Sequence, residues 1–189
     1  MKIGMQRLRF FILLFAVSSL LFHSPSDFEA FAAAGDVDST VEINDSTANG
    51  PRNISDDNFG QSVANIGDLD GDGVQDLAVG AHSADAGGED RGAVHIIFMN
   101  TNGSVDSTVK INSNTANGPD LLNGDFFGFS VAKMGDRDDW DGEDGIVLAV
   151  GAPRNGASDI GAVHIMFVNT NGSVDSTIEI NYSSHPGNG

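Results

Sequence analysis

The chain repeats itself. Val37-Asp38-Ser39-Thr40 returns as Val105-Asp106-Ser107-Thr108 and again as Val174-Asp175-Ser176-Thr177, first after 68 residues and then after 69. Phe-Gly recurs within each unit (Phe59-Gly60, Phe127-Gly128), followed by an acidic loop and Leu-Ala-Val-Gly-Ala (from Leu77 and from Leu148). Gly-Ala-Val-His-Ile then begins at Gly92 and at Gly161. A fixed internal period means that one supersecondary unit stacks on copies of itself, so the chain folds by repetition.

After residue 34 the apolar runs are short and lack helical periodicity, and Gly, Asn, Asp and Ser fill the spaces between them. Runs of this kind read as strands. The first unit supplies four, at 59–66, 76–81, 93–99 and 105–111, and the second supplies 127–134, 146–152, 162–168 and 174–180. Asn102-Gly103 and Asn171-Gly172 separate the third and fourth runs, with Asn and Gly expected to supply positive-φ turn residues. Four antiparallel strands per unit are the content of one propeller blade, and residues 37–43 form one further, leading strand. Two blades do not close a ring, since propellers need about four to eight. The chain therefore reads as the front of a longer protein, or as one member of an oligomer of short chains.

Residues 1–34 read as a secretory signal: Lys2, Arg7 and Arg9 precede an apolar stretch from Phe10 to Phe22, and Ala32-Ala33-Ala34 offers a cleavage site. The stretch is shorter than the ~20 residues of a spanning helix, so no membrane insertion is expected once the signal is removed. The expected location is secreted or at the cell surface. The formal charge of −18 becomes −19 when the three basic and two acidic residues of that segment are lost. This acidity argues against binding nucleic acid and favours cations. With no cysteine present, stability must come from packing, repeat stacking and metal ions.

Asp68, Asp70 and Asp72 stand at alternate positions, Gly71 and Gly73 let the backbone curl, and Asp76 closes the loop at the start of the next strand. Calcium takes 6–8 oxygen ligands from carboxylates and carbonyls, and here the four carboxylates and the Val74 carbonyl could supply them. An EF-hand needs Glu in its twelfth position, where this chain has Val79. A solvated Asp/Gly turn is the bland alternative. The second loop has two registers. One aligns Asp139, Asp141 and Glu143 with the first three aspartates but places Val147 where Asp76 stood; the other uses Asp136, Asp138 and Asp144 but puts Trp140 fifth. Each register loses a carboxylate, so at most a weak second site is expected.

Phe59-Gly60, Asp68 to Asp76 and Gly80-Ala81, with Phe127-Gly128 and Gly151-Ala152-Pro153, resemble the FG-GAP repeat of the integrin α-chain head propeller and of many exported microbial proteins. The resemblance implies a seven-bladed propeller. It also implies calcium held between a blade's first and second strands by Asp68, Asp70, Asp72, Asp76 and the Val74 carbonyl. The layout expected is a signal (1–34), a leading outer strand and linker (35–58), an all-β pair of blades (59–113 and 114–181) and the start of a third repeat (182–189). The function expected is non-catalytic extracellular binding or adhesion toward a protein or carbohydrate, with further blades in cis or in an oligomer as partners. The alternatives are the propeller part of a secreted hydrolase or lyase, and a structural surface-layer repeat. His95 and His164 read as packed histidines, Phe126, Phe127 and Phe129 as core, and His82, Asp85, Glu89 and Asp90 as a solvated loop. Sequons stand at Asn44, Asn53, Asn102, Asn171 and Asn181.

Overall fold

A computed structural model describes residue 37 and residues 39–52, 55–156 and 160–181. The signal-like segment, the sequon at Asn53 and the start of a third repeat lie outside the described residues. Two compact units divide after Thr40. Of the first, only residues 37, 39 and 40 are described, and none of them is in a strand. All that follows concerns the second, Val41–Gly189.

Among the described residues, that unit is all-β apart from one short 3-10 turn. Strands β1 (Phe59–Gly67), β2 (Asp76–Ala81), β3 (Ala93–Met99) and β4 (Val105–Ile111) form one antiparallel sheet in chain order. Strands β5 (Ser130–Asp136), β6 (Ile146–Ala152), β7 (Ala162–Val168) and β8 (Val174–Asn181) form a second sheet in the same order. The β3–β4 hairpin closes through Gly103 N to Asn100 O at 2.9 Å, and the β7–β8 hairpin through Gly172 N to Asn169 O at 2.9 Å. Of each Asn-Gly pair only the glycine has positive φ, 79° and 78°. The asparagine instead accepts from the Ser two residues on through its side chain, which holds a turn without left-handed backbone at Asn.

Residues directly opposed in an antiparallel ladder share a face. One face of blade 1 carries Leu77, Val79, His95, Ile97 and Met99, and the other carries Ala78, Val94, Ile96 and Phe98. The second face packs against Leu148, Val150, Ala152 and Met166 of blade 2 in one continuous core. Those four are the repeat counterparts of Leu77, Val79, Ala81 and Ile97 on the histidine-bearing face of blade 1. The blades therefore stack head to tail, each presenting its histidine face to the blade before it.

The Phe-Gly and Gly-Ala signatures meet across this interface. A Cβ on Gly80 would stand 1.9 Å from Gly128 O, and one on Gly92 would stand 2.0 Å from Phe127 O. Only glycine permits so close an approach of two backbones. Ser62 Oγ donates to Gly128 O at 2.9 Å, and Phe127 pairs with Gly92 in an isolated parallel bridge. Phe127-Gly128 therefore belongs to the blade junction, and the fifth strand begins at Ser130 rather than at Phe127. The loop expected to be only solvated contributes as well: Gly124, Phe126 and Phe127 donate backbone N–H groups to Glu89, Asp90 and Arg91 carbonyls.

The leading segment departs from expectation. Residue 37 and residues 39–43 are not in a strand: a fourth strand pairs with the third strand of its own blade, and among the described residues no strand pairs with these. The segment still takes up the repeat's position. Asn44 N donates to Thr47 Oγ1 at 2.8 Å and Gly50 N to Thr47 O at 3.1 Å; Asn112, Thr115 and Gly118 repeat this turn. Thr108 Oγ1 donates to Asn49 O as Thr177 Oγ1 donates to Asn117 O. Val41 lies against the Gly103 turn as Val109 lies against the Gly172 turn, and Ile43 packs on Val79, Ile97 and Val105. Two of the three expected core phenylalanines are also displaced. Phe127 is fully buried, but Phe129 is exposed and Phe126 half-buried, with His82 edge-on to both rings.

Candidate metal centre

The β1–β2 loop folds around its own carboxylates. Asp68 Oδ1 accepts from Gly71 N at 2.8 Å and Oδ2 from Gly73 N at 2.9 Å, with Gly71 and Gly73 at φ of 82° and 91°. Asp70 accepts from Asp72 N at 3.2 Å, and Asp72 accepts from Val74 N at 2.7 Å. Asp76 opens β2 and is fully buried; its two oxygens accept from Leu69 N at 2.9 Å and Met99 N at 3.0 Å. Burial raises its pKa above the ordinary aspartate value, and the two N–H donors oppose that rise.

Asp68, Asp70 and Asp76 each bring an oxygen within 4.8 Å of the others. Oxygens so spaced can touch one cation at the ~2.3–2.6 Å of calcium coordination, and an all-oxygen, anionic donor set suits a hard ion. The group therefore fits calcium. Asp72 lies outside this triad, beside it in the loop, and Val74 is half-buried at the loop's end.

The second loop is organised differently. Asp139, Asp141 and Glu143 do not form such a triad among the described residues. Arg137 stands at the repeat position of Leu69 and is likewise buried, but with a guanidinium in place of the isobutyl group. It donates to Asp141 at 2.8 Å, Asn169 at 2.6 Å and Asp175 at 3.0 Å. Arg137, chiefly through that hydrogen bond, holds the Asp141 carboxyl below the usual range. A protein cation thus already engages one of the three candidate oxygens. Asp136, Asp138 and Asp144, the other register, line a cleft of about 300 Å³ together with Asp68 of the first loop.

Sequence reasoning overlooked Arg137 and two buried aspartates. Asp57 and Asp125 each lie two residues before a Phe-Gly, and that shared offset was the available signal. Asp57 pairs with Lys110 at 3.4 Å, while Asp125 accepts from Leu122 N at 2.7 Å and Asn155 Nδ2 at 3.3 Å. Burial raises the pKa of both.

His95 and His164 are packed, as expected, edge-on against Phe59 and Phe127. Among the described residues, neither ring nitrogen of either histidine has a hydrogen-bond partner. Burial, helped by Lys110, lowers the pKa of His95 from 6.5 to about 4. The unfolded chain takes up a proton there below pH 6.5 and the folded chain does not, so stability is lost as pH falls from 6.5 toward 4. The raised carboxylates act in the opposite sense, so the histidine must be isolated by substitution. Relative to the unmodified protein, His95→Leu should gain up to about 3 kcal/mol between pH 7 and pH 4 in urea unfolding. Parallel curves for the two proteins would contradict this.

Residues 59–97, from Phe-Gly through the acidic loop to β3, match the family model of the FG-GAP repeat. The chain carries an FG-GAP repeat. No curated protein matches it significantly. The matched FG-GAP segment holds the triad, and the repeat supports a β-propeller module built from these two sheets.

Proposed function

We propose that this is an exported, calcium-binding propeller module, secreted or held at the cell surface, that binds an extracellular protein or carbohydrate without catalysis. The two repeats share one continuous core and close backbone contacts, an arrangement that suits a scaffold presenting loops to a partner. The reading rests above all on the convergence of Asp68, Asp70 and Asp76 within 4.8 Å inside a loop pinned by its own N–H groups. Asp72 and the Val74 carbonyl would complete the shell. Calcium that binds only the folded state would stabilise it by about 2.7 kcal/mol at a hundredfold excess over Kd.

Calcium titrations followed by melting temperature test this. Asp68→Ala with Asp72→Ala should abolish most of the calcium-dependent rise, whereas Asp139→Ala with Asp141→Ala should change it little. Equal losses at both loops would mean that the second loop binds as well as the first. Absence of any calcium response in the unmodified protein would sink the site. Export is checked by the N-terminus of protein recovered from the medium, expected just after Ala34.

A further inference from the structure

The two ends of the blade stack carry matching half-interfaces. Inside the stack a Cβ on Gly80 would meet Gly128 O; at the repeat counterpart, Gly151, its nearest neighbours among the described residues all belong to Ser130 of the same sheet. Gly128 is hemmed in by the Ala93 carbonyl, while among the described residues nothing stands within 4 Å of a Cβ on its counterpart Gly60. The apolar faces show the same asymmetry. Val94 and Ile111 of blade 1 are fully buried against blade 2, but their counterparts Val163 and Ile180 are 41% and 53% exposed. Ile178, the counterpart of Val109, is 54% exposed. The outer face of blade 2 is thus the same surface, in the same register, that blade 1 uses to receive a blade.

We infer that Val163, Ile178, Ile180 and Gly151 form a docking surface for blade 1 of a second copy of this chain, and that residues 41–51 act as a cap that competes with this docking. The second copy is the fitting occupant because the chain itself carries the complementary half: open Gly60 beside Phe59, and the Leu77–Val79–Ile97 face. On that face Val41 and Ile43 already hold the places that Val109 and Ile111 take at the internal junction. An incoming Ile178–Ile180 strand must displace them. Docking of this kind is heterologous, so it propagates into rings or open arrays rather than stopping at a two-fold pair. The inference rests on repeat packing and is independent of the calcium reading.

Sedimentation over a concentration series, on the full chain purified from an exporting host, tests the inference with neutral substitutions at exposed or half-buried positions. Val41→Gln with Ile43→Gln weakens the cap and should tighten self-association about tenfold or more. Adding Ile178→Gln and Ile180→Gln to that variant should return it to the monomer. Because the Ile178 and Ile180 changes leave blade 1 intact and the Val41 and Ile43 changes uncover it, this four-substitution chain should also cap the assemblies of the first variant and shorten them. A cap variant that associates no better than the unmodified chain would overturn the inference. So would association that survives Ile178→Gln and Ile180→Gln, the result expected of non-specific aggregation, or assemblies that the terminating chain leaves untouched, the result expected of a two-fold pair.

Discussion

Gly80→Ala should destabilise the molecule by about 3 kcal/mol, the upper part of the range for overpacking, and lower the melting temperature by about 10 °C. The added methyl would stand 1.9 Å from Gly128 O and 2.4 Å from Ser62 Oγ. The serine can rotate, but the carbonyl belongs to the backbone of the next blade and can yield only if the junction opens. Gly151→Ala is the internal control. It occupies the same place in its repeat, and the nearest atoms to its new Cβ among the described residues are the Ser130 side chain and backbone. A rotated hydroxyl accommodates it, and the smaller entropy of the unfolded chain offsets part of the strain, so a change within about 1 kcal/mol is expected at low protein concentration. Equal losses from the two substitutions would mean that the glycine serves its own sheet rather than the junction.

Asp76→Ala should be damaging even when calcium is chelated, and this separates it from the rest of the acidic loop. Its buried carboxylate is the acceptor for Leu69 N and Met99 N. Removing it leaves two backbone donors without that acceptor, at a cost of about 2–4 kcal/mol in EDTA. Asp70, by contrast, is exposed and accepts only from the neighbouring Asp72 N. Asp70→Ala should melt near the unmodified protein in EDTA and lose most of the calcium-dependent gain. Chemical unfolding of both variants with and without calcium gives the four numbers needed. If Asp76→Ala were neutral in EDTA, the hydrogen bonds would not be anchoring the loop. If Asp70→Ala kept its full calcium response, the triad would not be the calcium site.

The contrast between these two aspartates shows what could be read in advance. Strands β2, β3, β4, β6 and β7 have the bounds expected from their residues, and the acidic loop stands where its spacing placed it. Such features are local: alternation, β-branched runs and turn residues act over a few positions, so the sequence alone carries them. The same locality hid the double duty of Asp76, because Met99 is 23 residues away. It hid Arg137, whose partners Asn169 and Asp175 are 32 and 38 residues away across the sheet. The described residues 37 and 39–43 are not in a strand because strand formation needs a hydrogen-bonding neighbour, and among the described residues none pairs with them. By itself the sequence determined the period, the strands and the grouping of carboxylates in one loop. Only the tertiary structure decided why Phe-Gly and Gly-Ala recur, since a glycine that makes room for the next blade's carbonyl has its reason in a residue 48 positions further along, Gly128 against Gly80.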